Sequence, residues 1–181
     1  MSNKVVTERT IESTEIFRGR LLRVEVVKVE LEPGKTGRRE IVHHPGAVAV
    51  LARLPDRRLV LVRQYRKPIE RDLLEVVAGC LDPGEDPDAC AAREVREETG
   101  YAVASLRRLG AIYPVPGYSD ERLHAYYAEL QVTAGAPEPD EDERVAVEYL
   151  TEADLEGRIA RGEIEDAKTL AIWLLYRSRA S

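Results

Sequence analysis

The stretch from Gly79 to Tyr101, GCLDPGEDPDACAAREVREETGY, constrains this chain more than any other. Its second half carries start and stop signals for one helix. Asp86 is placed to act as N-cap, and Pro87 falls at the first helical position, where a missing N–H costs nothing. Gly100 stands where a left-handed C-cap residue belongs. Between them Glu94, Glu97 and Glu98 recur at i, i+3 and i+4 and so share a face, while Ala91, Ala92 and Val95 supply an apolar side. Carboxylates so spaced repel by roughly 0.2–0.5 kcal/mol per pair, and Arg93, four before Glu97, stands in the less favourable order for relief. A cation among them would remove the repulsion. Carboxylate oxygens suit hard ions, and Mg²⁺ is typically held by a few of them with waters and substrate phosphates. Three glutamates alone are more often a solvated helix face, so the surrounding residues decide.

Two strand-like runs open the chain, around Ile11–Phe17 and Leu21–Leu31. Pro33-Gly34 punctuates, Lys35–Arg39 reads as a polar turn, and Glu40–His43 begins another strand. A short meander is marginal without a partner surface. Residues 1–44 are therefore expected to form a small antiparallel β region that packs on the main domain, 45–181, or on another subunit. His43 and His44 are adjacent, face opposite ways on any strand and lack metal-ligand spacing, so both read as structural.

Gly46–Leu54 and Arg58–Tyr65 are apolar strands joined by a hairpin-like turn, Pro55-Asp56-Arg57. Arg63 and Arg66 put two guanidiniums at the end of the second, a natural clamp for phosphate or simply exposed ends. Leu73–Ala78 is a further strand running into Gly79, which lets the backbone turn sharply and brings the Ala78 carbonyl into play as a metal ligand. Pro83-Gly84 turns the chain to deliver Glu85, either as a metal ligand or, the favoured reading, to orient Arg93 by an ion pair. Strands follow at Val103–Tyr113, Leu123–Gln131 and Val145–Leu150; Thr151 caps a short helix, and Ile164–Arg177 is a last amphipathic helix with Trp173 in the core. The acidic stretch Thr133–Arg144 is either a solvated connector or an arm that swings a general base over the site. This order predicts an α/β (α+β) layer fold, an α/β/α sandwich with a mixed sheet.

With 181 residues the chain suits one domain with a small appendage, and a net charge of −6 argues against nucleic acid as partner. Two cysteines make no disulfide framework, the start has no apolar signal-like run, and no stretch approaches a membrane span. A cytoplasmic protein is expected.

Gly79, Glu85, Arg93, Glu94, Val95, Glu97, Glu98 and Gly100 match the signature of the Nudix hydrolase family, with Tyr101 aromatic where an aliphatic is usual. Seven fixed letters coincide by chance about once in 10⁸ starting positions. RREIVHHPGAVAV, VRQYRKP, LLEVVAGCLDPGE, PVPGYSDER and Pro116 further resemble its ADP-ribose pyrophosphatase branch. That resemblance implies a homodimer with exchanged N-terminal strands and two or three Mg²⁺, with Mn²⁺ as a substitute, on Glu94, Glu97, Glu98 and the Ala78 carbonyl. It assigns Arg39 and Arg66 to the diphosphate and Gly117 and Glu121 to substrate. Arg20 falls where the branch has an aromatic or aliphatic contact to adenine. Glu141, or Glu143, matches the loop base, and Glu98 also counts as catalytic. Gly79, Glu85, Arg93 and Gly100 shape the motif. The expected reaction is hydrolysis of ADP-ribose to AMP and ribose 5-phosphate. The alternatives are another nucleoside diphosphate sugar or dinucleotide, such as GDP-mannose or NADH, or a catalytically silent nucleotide-sugar sensor.

Overall fold

The structure, a computed structural model, describes residues 7–135 and 145–179; Glu141 and Glu143 lie outside them. The chain divides into two compact units, one running to Pro45 and taking in Val115–Arg122, the other built from Gly46–Pro114 and the residues from Leu123 onward.

The smaller unit is an antiparallel sheet of three strands, β1 (Arg9–Arg18), β2 (Arg23–Glu32) and β3 (Lys35–His43), in that order. Lys35–Arg39, expected as a turn, is already strand. Glu32 pairs with Lys35 across Pro33-Gly34, and Gly34 takes φ 80°, so two residues complete the reversal. The polarity of Lys35–Arg39 marks exposure, not irregular backbone. Segment 115–122 folds back onto β3: the Val42 N–H donates to the Tyr118 carbonyl at 2.8 Å and the Asp120 N–H to the Val42 carbonyl at 3.2 Å.

The larger unit carries, in chain order, β4 (Ala47–Arg53), β5 (Leu59–Arg66), β6 (Arg71–Glu75), β7 (Val77–Cys80), α1 (Pro87–Thr99), β8 (Tyr101–Ile112), β9 (Leu123–Ala134), β10 (Val145–Leu150), α2 (Glu152–Ala160) and α3 (Ala167–Arg177). Its seven strands form one mixed sheet, β10-β5-β4-β9-β8, with β6 on β5 and β7 on β4; β4 and β9 run parallel. The apolar runs of β4 and β5 are buried on both faces, as their unbroken hydrophobicity requires. Ala47, Ala49, Leu51, Leu59 and Leu61 join Leu155, Ile172 and Trp173 in one core; Val48, Val50, Ala52, Val60 and Val62 join Cys90, Ala91 and Val95 in the other. The sheet is thus filled from α2 and α3 on one side and from α1 on the other, the expected layers.

Two differences from expectation in this unit have their cause in the packing. Leu73–Ala78 is not one strand, because β4 and β5 pair directly only near their turn, at Ala52–Val60 and Arg53–Leu59. Further along, residues 71–80 fill the gap, with β6 pairing to β5 and β7 to β4. At the fork the Val76 N–H donates to Thr169 Oγ1 at 2.9 Å, and that hydroxyl donates to Asp166 Oδ2 at 2.6 Å. Asp166 also accepts the Thr169 N–H at 2.9 Å, so it caps α3, and the helix starts at Ala167 rather than at Ile164. Thr169 is fully buried, so its near-isosteric replacement by valine leaves the buried Val76 N–H without its acceptor and removes one of the bonds to Asp166. Thr169→Val is expected to cost about 1–3 kcal/mol, read from the urea midpoint.

Candidate metal and diphosphate site

Helix α1 forms where its caps dictate. Asp86 Oδ1 accepts the Asp88 N–H at 2.8 Å, Pro87 opens the helix, and Gly100, at φ 75°, closes it with its N–H on the Arg96 carbonyl. Cys90, Ala91 and Val95 anchor one side in the core. That anchoring also carries Glu94 and Glu98 inward, to 8% and 2% exposure, while Glu97 stays half-buried. Gly79 of β7 lies against the Glu94 carboxylate; any Cβ there would overlap its oxygens. The demand for glycine at this point is thus steric: the backbone must let a carboxylate pass.

Arg93 organises the acids. Its Nε and Nη2 each meet a Glu85 oxygen at 2.9 Å, a bidentate pair, while Nη1 reaches Glu94 Oε1 at 2.7 Å and Glu97 Oε2 at 2.9 Å. Nη2 also donates to the Cys80 carbonyl at 3.2 Å. The unfavourable sequence order of Arg93 and Glu97 is overridden because Glu85 fixes the guanidinium from outside the helix. Arg93 beside it, helped by the Asp82 N–H, lowers the Glu85 carboxyl to about 2, and the pairing with Glu85 raises Arg93. Burial pushes the Cys90 thiol up to about 12, which keeps it protonated and inert.

Carboxylate and carbonyl oxygens on Glu94, Glu97, Glu98 and Ala78 are the donor types a hard divalent cation takes. The room beside Gly79 for the Glu94 carboxylate fits that use. As the side chains stand, Arg93 bridges Glu94 and Glu97, and among the described residues no three acidic, thiol or imidazole groups are gathered into a ready cage.

Arg66, at the end of β5, is held by a residue that the sequence reading passed over. Glu75 is 1% exposed; Arg66 Nε meets its Oε1 at 2.8 Å, and Lys168 Nζ bonds its Oε2 and, at 3.0 Å, Asp166 Oδ1. Burial raises the Glu75 carboxyl, but the two cations outweigh it and leave it lowered. Glu75 pairing, against the cost of burial, raises Arg66, and the charge of Glu98 adds to that, so Arg66 lies within the field of the α1 acids. The signal available in sequence was one glutamate inside the apolar run LLEVVA.

The structure therefore brings together Gly79, Glu85, Arg93, Glu94 and Glu97, with Arg66 in the field of Glu98. Arg20, Arg39, Gly117 and Glu121 belong to the smaller unit. Arg20 is exposed between β1 and β2, and Arg39 is spent on Glu8, its Nε meeting Oε2 at 3.0 Å. Gly117 is exposed, and the Glu121 N–H donates to Ser119 Oγ at 3.1 Å.

The chain belongs to the NUDIX domain family, whose domain matches residues 42–171. It is 44% identical over 167 residues to an ADP-ribose pyrophosphatase of Bacillus subtilis, covering 92% of this chain and 90% of that protein. A methanol dehydrogenase activator of Bacillus methanolicus is 43% identical over 168 residues, covering 92% and 91%. A crystal structure of an ADP compounds hydrolase superposes with a TM-score of 0.84 at 24% identity, over 98% of this chain and 96% of that one, a likeness of fold.

Gly79→Ala is expected to displace the Glu94 carboxylate, lowering activity at least about 100-fold while Tm moves by only about a few degrees, because the displaced atoms end a flexible side chain. Parallel activity assays and thermal melts check it. Glu85, ordinarily titrating at 4.5 and here at about 2, contributes stability that is present above pH 4.5 and lost as pH falls toward 2. Glu85→Gln is therefore expected to flatten the fall of stability with acid between those values, read from urea midpoints across pH.

Proposed function

We propose that this protein hydrolyses the diphosphate bond of ADP-ribose, giving AMP and ribose 5-phosphate. The relative bearing the name ADP-ribose pyrophosphatase, 44% identical over nearly the whole chain, carries the choice of substrate. The buried acidic face of α1 beside Gly79, with a guanidinium held in its field, supports the chemistry.

Glu94, Glu97, Glu98 and the Ala78 carbonyl hold the divalent ions, two or three Mg²⁺ with Mn²⁺ as substitute. When bound, such ions neutralise the diphosphate and acidify a water. Arg66, oriented by Glu75 and Lys168, presents its guanidinium to a diphosphate oxygen. Arg93 is kept from substrate by Glu85 and serves to set the directions of Glu94 and Glu97. Glu141 or Glu143 takes the proton from the attacking water. Arg20, Arg39, Gly117 and Glu121 are assigned to substrate by their match to the branch pattern, not by position.

The working form in this reading is a cytoplasmic homodimer whose residues 1–44 form the contact. All ten residues of β1 are exposed, Ile16 at 61% and Phe17 at 53%, an apolar edge that a second copy would cover. No helix among the described residues is long and apolar enough to cross a membrane. A second reading rests on the relative named as a methanol dehydrogenase activator: the same hydrolytic site acts to switch on another enzyme.

Product analysis on ADP-ribose, GDP-mannose and NADH with Mg²⁺ tests the substrate. AMP and ribose 5-phosphate from ADP-ribose at the highest kcat/KM are expected; preference for another substrate would discard it. Glu98→Gln is expected to lower kcat at least about 100-fold with Tm nearly unchanged. Full Mg²⁺-dependent turnover by that variant would contradict the ligand assignment.

A further inference from the structure

His43 ends β3 with both ring nitrogens against carboxylates. Nδ1 lies 2.6 Å from Asp120 Oδ2 and Nε2 lies 2.8 Å from Glu25 Oε1. The other Asp120 oxygen accepts the His44 N–H at 3.0 Å. Glu25 Oε2, in turn, takes the Ser13 hydroxyl at 2.7 Å and Arg23 Nη1 at 3.1 Å. One imidazole thus ties β1 and β2, through Glu25, to segment 115–122, through Asp120. That segment carries Gly117 and Glu121. Its other described attachments to β3 are main-chain bonds at Val42, from the Val42 N–H to the Tyr118 carbonyl and from the Asp120 N–H to the Val42 carbonyl. Asp120 is the residue where the side-chain tie and the main-chain tie meet.

We propose that His43 is a positioning residue that, by bonding Asp120 and Glu25 at once, holds segment 115–122 in the form in which Gly117 and Glu121 bind substrate. The proposal rests on the substrate assignment of those two residues made above. Only the imidazolium donates from both nitrogens; a neutral ring turns a lone pair toward one of the two carboxylates and loses that bond. The charged groups facing the ring are Asp120 on the segment, Glu25 on β2, and Arg23, also on β2, whose charge opposes protonation. Burial also opposes it, but the two carboxylates prevail and His43 is raised above its ordinary 6.5. Ser13 and then His43 hold Glu25 down to about 2, so within the set the ring is the group whose titration is moved upward, from its ordinary 6.5. The clamp is complete below pH 6.5 and is lost as pH climbs through the raised value.

Amide hydrogen exchange by NMR, paired with steady-state kinetics on ADP-ribose with Mg²⁺, tests this on the full chain. His43→Gln is expected to speed exchange at the Asp120 and Val42 amides at least about ten-fold. It is expected to raise KM at least about five-fold with kcat within about two-fold. Asp120→Asn, which weakens the same clamp from the other side, should do likewise, and His44→Gln should do neither. In the wild type both changes should appear as pH rises, with exchange expressed as protection relative to the intrinsic base-catalysed rate, and that pH dependence of protection and KM should vanish in His43→Gln. Unaltered exchange in the His43 and Asp120 variants would overturn the clamp itself. Faster exchange with an unaltered KM would also overturn the proposal, placing the failure in the assignment of Gly117 and Glu121 to substrate.

Discussion

One guanidinium holds the chemistry of this chain in place. Glu94 and Glu98 are carried inward by a helix whose neighbouring residues are core, and buried carboxylates are costly unless compensated. Arg93 supplies charge to Glu94 and to Glu97, and is itself fixed by the two-bonded pair with Glu85. The pair spans the turn that leads into α1, so the loop, the helix and the end of β7 are joined through one planar group. Each of these bonds occupies one oxygen of its carboxylate, Glu94 Oε1 and Glu97 Oε2, so Arg93 Nη1 can direct both acids toward a divalent ion while the Glu85 side of the fork keeps hold. A lysine could not divide its contacts in this way, since its single ammonium lacks the fork.

The sheet explains why the acids and Arg66 come close together. The splaying of β4 from β5 opens a gap that β6 and β7 fill. Glu75 ends β6 at this fork and Gly79 sits on β7, which α1 overlies. A buried acid at the fork holds Arg66 from one side and Lys168 from the other. Thr169, next to Lys168, completes the fork by accepting the Val76 N–H. The irregularity in the sheet is therefore where the charged side chains find room and partners.

Much of this was legible in the sequence, for local reasons. Asp86, Pro87 and Gly100 state the limits of α1 by their own chemistry, and the unbroken apolar runs of β4 and β5 state burial on both faces. Lys35–Arg39 misled because polar residues on an exposed strand look like a turn when the real turn needs only Pro33 and Gly34. The break at Val76 was not legible, since it depends on Thr169, 93 positions away. The partners of Glu75 are similarly remote in Lys168. The spacing of His43 speaks only to metal chemistry; its carboxylate partners, 18 and 77 positions distant, could be found only in the fold. The layered architecture matched expectation because it follows from the order of patterned segments; the pairings at the fork are long-range and leave no periodic trace.

The central claim is that the acidic face of α1 is a divalent-cation site. Mn²⁺ binding, followed by electron paramagnetic resonance without substrate, tests it most directly, on the wild type beside Glu94→Gln and Glu97→Gln. Saturable binding by the wild type, weakened at least about ten-fold in each variant while both remain folded, is the predicted result. Equal binding by all three proteins would contradict the account.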